Sequence, residues 1–159
     1  MVKTKSGCFA VVIGLLLSVS VLAQGNSGLF LQIESAVKQK APGWKLAHRL
    51  VSKRVENASY LWKSGKSSVG VLIFVHDTPE QANRTYHHFD LEDFGLKRKV
   101  LEGPVLELGD ENYAWQDVND PKTVGIDFRK GRAFVHITAS TLESARQFAS
   151  LIADTLPAS

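Results

Sequence analysis

Chemistry in this chain would have to come from five histidines, two acidic neighbourhoods and two aromatic pairs. The histidines are His48, His76, His87, His88 and His136. A metal-binding helix wants imidazoles four residues apart, so that both leave one face. His87 and His88 are adjacent instead, and on a helix they point about 100° apart. Asn83 and Arg84 stand four residues before them, and neither is a ligand of choice. With no H-x-x-x-H or H-E-x-x-H spacing, the histidines predict separate surface and core roles and no metal centre.

His76, Asp77 and the Asp110-Glu111 pair are the groups a hydrolase of unfamiliar kind would use for proton transfer. Sequence neighbours on a strand face opposite sides, so Asp110 and Glu111 suit a bend and strand entry better than a shared site. Gly65 to Gly70, GKSSVG, has the tail of a phosphate loop but lacks its upstream glycine. It also joins two strands rather than opening a helix, so it reads as a hairpin turn. Tyr60 with Trp62, and Tyr113 with Trp115, are spaced to share one face of a strand each. Such pairs either stack on a sugar, peptide or lipid or fill the gap between a sheet and its helices. These four residues are the ligand-binding candidates; no catalytic residue and no cofactor is assigned.

The elements that must position them follow from periodicity. Leu29, Ile33 and Val37 mark a helix to Lys40, capped by Ser27 and ended by Pro42-Gly43. Residues 44–52 alternate, with Leu46, His48 and Leu50 on one side. Residues 58–63 form a second strand. Residues 68–76, SVGVLIFVH, are an unbroken apolar run that suits a central strand covered on both faces. Thr78, Pro79 and Gln81 are a helix start with cap, first-turn proline and capping box, and the helix runs to about Phe89. A connection over 90–95 and a short strand at Val100-Leu101 follow. Lys97-Arg98-Lys99, the one run of three basic residues, reads as a solvated turn. Strands are predicted over 112–117, 123–129 and 133–139, the last two joined by Lys130-Gly131-Arg132. Ser140 to Glu143 is a second capping box, opening a helix that Pro157 stops.

Consecutive strands with short turns pair antiparallel, so the expected fold is α+β: one antiparallel sheet of about six strands with helices packed on one face. Two strand-to-helix junctions echo each other at an offset of 63, with Thr78/Thr141, Glu80/Glu143 and Ala82/Ala145 identical. Two similar halves side by side are expected.

The first 23 residues have another character. Lys3 and Lys5 precede an apolar run from Phe9 to Leu22, and Val21-Leu22-Ala23 supplies small residues before Gln24. The order is that of a secretory signal peptide cleaved between Ala23 and Gln24. The run falls short of the ~20 residues that span a bilayer, so no transmembrane anchor is expected. Cleavage would leave 136 residues with 17 Lys+Arg against 16 Asp+Glu, and would remove Cys8, the only cysteine. That composition excludes a disulfide scaffold, a thiol enzyme and a cysteine-ligated zinc site. Its near-neutral charge argues against nucleic acid. Residues 24–28 read as a flexible lead and 29–159 as a single domain. The absence of disulfides points to a bacterial periplasm or medium rather than a eukaryotic exterior, where the sequons at Asn57 and Asn83 would matter.

Leu108-Gly109-Asp110-Glu111-Asn112-Tyr113, the hairpin FRKGRAFVHI and the closing TLESARQFASLI together resemble small exported bacterial proteins of unknown function. In these a GDEAY-like bend precedes a hairpin and a C-terminal helix. The resemblance covers about 45 residues and implies an envelope or secreted location. The expected function is therefore an exported, non-enzymatic domain that binds a partner protein or small ligand in the cell envelope. The hydrolase above and a structural accessory subunit of an envelope complex are the alternatives.

Overall fold

A computed structural model describes residues 26–52, 56–89, 96–102 and 107–157. The expected signal segment, the start of the expected lead and the 90–95 connection lie outside the described residues. The elements are helix α1 (Asn26–Lys40), strands β1 (Lys45–Ser52), β2 (Asn57–Ser64) and β3 (Ser67–Val75), and helix α2 (Pro79–His88). Strands β4 (Arg98–Val100), β5 (Glu111–Asp117), β6 (Val124–Lys130) and β7 (Ala133–Ala139) and helix α3 (Leu142–Thr155) complete the order. The strands form one antiparallel sheet in the order β1-β2-β3-β7-β6-β5-β4. The α+β class holds, with one strand more than expected. No described helix is long and apolar enough to cross a membrane.

Period-two alternation sorts the sheet into two faces. On the first, Val69, Val71 and Ile73 of β3 stand beside Val135, Ile137 and Ala139 of β7, with Ile126 and Phe128 of β6 beyond. Phe30, Ile33 and Val37 of α1 and Ala145, Phe148, Ala149 and Ile152 of α3 close over them. The second face carries Phe74, Phe134, Arg129 and Glu111 in one cross-strand row, and Leu72, His136, Asp127 and Tyr113 in the next. Helix α2 lies on this second face, since its buried Tyr86 meets the rings of Phe134 and Tyr113. The expectation of helices on one face is therefore corrected. Phe74 and Phe134 make the second face apolar over β3 and β7, and a helix has to cover it.

Coverage of that face is incomplete. Every residue from Val124 to Phe128 and from Ala133 to Ile137 is buried, whereas β3 alternates buried and half-buried residues. The double cover expected of β3 is found on β6 and β7 instead. The expected halves are present as two meanders, β1-β2-β3 and β5-β6-β7, meeting at the β3–β7 pair. Their helices pack on opposite faces, so the echo belongs to the strand-to-helix junction itself. The offset of 63 matches Val71 with Phe134, residues on opposite faces of the sheet.

Local chemistry sets the junctions. Thr78 caps α2, its Oγ1 accepting from the Gln81 N–H at 3.3 Å, and Gln81 Oε1 accepts from the Asp77 N–H. The cap of α3 is Thr141, one residue later than Ser140, accepting from Ser144 N–H at 3.2 Å. Ser140 Oγ instead accepts from the backbone N–H of Ser68, tying β7 to β3. Lys97-Arg98-Lys99 is not a free turn: Arg98 opens β4 and pairs with Asp117 of β5. Asp117 is buried and accepts from the backbone N–H groups of Lys97 and Asn119, which hold its carboxyl below the usual range.

Candidate functional site

The four aromatic candidates divide between the two faces. Tyr60 and Trp62 are each only 2% exposed and lie under the helices of the first face. Trp62 packs on Phe148 of α3 at 5.2 Å between centroids, and the Tyr60 hydroxyl donates to the carbonyl of Phe30 in α1. Burial pushes the Tyr60 hydroxyl pKa upward. Trp115 is fully buried and Tyr113 half-buried on the second face. Neither pair forms an exposed platform. Packing of a sheet against helices takes up these large apolar surfaces first.

Tyr113 and Trp115 serve a network that the sequence reading missed. Its centre is Asp127, 0% exposed in mid-β6. Oδ1 accepts from Trp115 Nε1 at 3.0 Å and from His136 Nδ1 at 2.7 Å. Oδ2 accepts from the Tyr113 hydroxyl at 2.8 Å and from Arg98 Nη1 at 3.4 Å. Arg98 Nη1 also contacts the Tyr113 hydroxyl, and Nη2 donates to the Phe89 carbonyl after α2. The His136 ring stacks on Trp115, 5° from parallel, with Phe89 against it. A buried carboxylate stays charged only with such partners. The network fastens β4, β5, β6, β7 and the end of α2 to one another.

One edge of the network reaches solvent. With His136 Nδ1–H given to Asp127, Nε2 accepts from Thr138 Oγ1–H at 3.0 Å. Thr138 is half-buried and borders a cleft of about 280 Å³ with Leu61, Ser68, Gly70 and Lys122. Hydroxyl, imidazole and carboxylate stand in the order of a nucleophile, base and orienting acid. Acyl transfer also needs N–H donors aimed at an oxyanion. Thr138 lies mid-strand between β3 and β6, whose backbone groups there belong to the two ladders.

The hydrolase candidates fall elsewhere. Arg129 binds both members of the acidic pair, Asp110 at 2.7 Å and Glu111 at 2.9 Å. Glu111 also accepts from Asn83 and pairs with His87 of α2. This carboxylate pair ties the β5 entry to β6 and α2. His48 and His88 are exposed, so the histidines are scattered, and among the described residues no three His, Cys, Asp or Glu groups converge as metal ligands.

His76 follows β3, with Nε2 buried and without a hydrogen-bond partner among the described residues. Burial lowers its pKa below the usual value, against the opposing pull of Asp77. The folded chain therefore takes up this proton less readily than the unfolded chain. The site's contribution to stability is complete above the unfolded pKa of about 6.5 and declines as pH falls below it. His76→Gln should flatten the stability profile between about pH 7 and 5 relative to the parent. Denaturant melts across that window measure it, and an unchanged acid limb would contradict the assignment.

The β1 edge of the sheet offers a different kind of site. Strand β1 lies at the outside of the sheet, and its first six residues are all exposed. The alternation expected there is broken by a bulge between Leu46 and His48. Leu46 consequently joins Trp62 on the first face, while His48 and Leu50 lie on the second beside Leu61 and Ser59. Between β1 and α1 runs a groove of about 400 Å³ with Pro42, Trp44, Leu46 and Trp62 in its walls and Glu34, Lys38 and Lys45 at its rim. Glu34 is paired with Arg49. Lys38 and Lys45 have no partner among the described residues, so the rim is cationic. No family model matches the chain, and neither does any curated protein or solved structure.

Proposed function

We propose that the chain is an exported, non-enzymatic domain of the cell envelope that binds an extended, acidic segment of a partner protein along β1. The observation that carries this reading is the coincidence of an edge strand with an apolar groove and two lysines that have no partner among the described residues. A strand added to an edge gains main-chain hydrogen bonds, and its alternate side chains take their specificity from adjacent pockets. Here a side chain on the first face would enter the groove over Trp44, Leu46 and Trp62. Its neighbours on the second face would lie along Leu50, which is 62% exposed.

Charge selects the partner. Lys45 on the edge and the bulge between Leu46 and His48 are devices that keep like edges apart. Two cationic copies of β1 repel, whereas carboxylates on the second face of an incoming strand meet Lys45. Export rests on the leader of residues 1–23 and its cleavage after Ala23.

A decapeptide alternating leucine and glutamate is the simplest probe. It should bind with a change in intrinsic fluorescence, since Trp44 and Trp62 line the groove. Lys45→Glu should weaken it roughly fivefold, because an exposed charge of this kind contributes up to about 1 kcal/mol. A leucine–lysine decapeptide that bound equally well would refute the acidic preference.

A further inference from the structure

A third cavity lies apart from the β1 groove, where α1 begins and α3 ends. Its volume is about 420 Å³, within the range of small-molecule sites. The walls are apolar: Leu29 from α1, Val75 from β3, Pro79 from α2, Ala133 from β7, and Leu156 and Pro157 after α3. Four separate elements converge on it, so the space is defined by the fold and not by one loop.

The polar groups are grouped at the β6–β7 hairpin. Lys130 donates from Nζ to the carbonyl of Ala153 at 2.7 Å. Arg132 is exposed, and its guanidinium has no partner among the described residues. The one acid in the lining, Asp110, is neutralised: its Oδ2 accepts from Arg129 at 2.7 Å and from the Gly131 N–H at 2.8 Å. An anion at the hairpin would therefore meet two cations and an acid already paired. Gly131 has φ of 54°, which holds the hairpin in the shape that puts Lys130 and Arg132 on either side of it.

We infer that this cavity is a site for a small aliphatic carboxylate, its chain among Leu29, Val75, Ala133 and Leu156 and its carboxylate facing Arg132 and Lys130. The site is separate from the β1 edge and goes beyond the reading given above. Burial of the alkyl chain supplies affinity, and the hairpin cations supply the preference for an anionic end.

The test uses the purified full chain with two probes of equal length, octanoate and octanol, followed by calorimetry and by the amide signals of Gly131, Arg132 and Ala133. Octanoate should bind and shift those signals, and it should bind more tightly than octanol. Arg132→Glu, on an exposed turn, should weaken octanoate roughly fivefold and leave octanol unchanged. Ala133→Phe, which fills the cavity, should abolish both. Should that variant fail to fold, Arg132→Glu still decides the matter. No binding of octanoate at millimolar concentration would overturn the site. So would binding that is indifferent to Arg132→Glu, or signals that move elsewhere.

Discussion

Asp127→Ala should destabilise the fold by about 3–5 kcal/mol, the usual cost of breaking a buried charge pair by removing one partner. The carboxylate is fully buried and accepts from Trp115, His136, Tyr113 and Arg98. Its removal leaves the Arg98 charge and three other donors without their acceptor. Asp127→Asn should cost less, since one oxygen remains, yet its amide N–H groups would face donors. Arg98→Met combined with Asp127→Leu should lose less than the two single changes together, because neither then strands the other. Chemical denaturation of Asp127→Ala, Asp127→Asn, the double variant and its two single changes measures this. A loss below about 1 kcal/mol for Asp127→Ala would mean that the network does not fasten the second layer.

Gly125→Ala should be comparably severe, at about 3 kcal/mol or more. Gly125 faces Trp115 across the β5–β6 pair and stands beside Thr138 of β7. A Cβ there would run into the carbonyl oxygen of Ile137 and the indole of Trp115. Neither can retreat. The carbonyl belongs to an interior strand, and the indole is held by the stacked His136 ring and the Asp127 hydrogen bond. The expected result is a fall in melting temperature of about 10 °C or more. Altered near-ultraviolet tryptophan dichroism should accompany it. A variant as stable as the parent would show that the sheet can shift where the contacts say it cannot.

Both variants concern residues that sequence pattern reveals poorly. The elements themselves were legible. Pro79 after Thr78 can only begin a helix, Lys130-Gly131-Arg132 is a turn between two alternating runs, and Leu29, Ile33 and Val37 have helical spacing. Asp127 stands in VGIDF, an acid in an apolar strand, which is itself a sign of a buried carboxylate with partners. Those partners come from three other strands. Nothing local associates Arg98 with Asp127, and a basic run reads as solvent-facing until β4 is seen to pair with β5. The side taken by α2 was equally hidden, because the apolar run of β3 states that both faces are covered and not by what. The bulge in β1 was also invisible, although it decides that Leu46 and not His48 lines the groove. Of the four aromatic candidates, Trp62 forms part of the groove wall.

The polar chemistry of this chain is thus turned largely inward, with Arg129 engaged by Asp110 and Glu111, and Asp127 by four donors. What it presents outward is an edge strand, a groove and lysines without a partner among the described residues. That contrast is the physical basis for reading the domain as a binder whose recognition uses backbone and charge.

Amide hydrogen exchange of β1 in the presence of the leucine–glutamate decapeptide tests this most directly. Strand addition predicts that the amides of β1 directed away from β2 slow markedly on binding, those already paired with β2 slow little, and the Asp127 network is unaffected. Protection confined to another surface, or binding with no slowing anywhere in Lys45–Ser52, would contradict edge recognition.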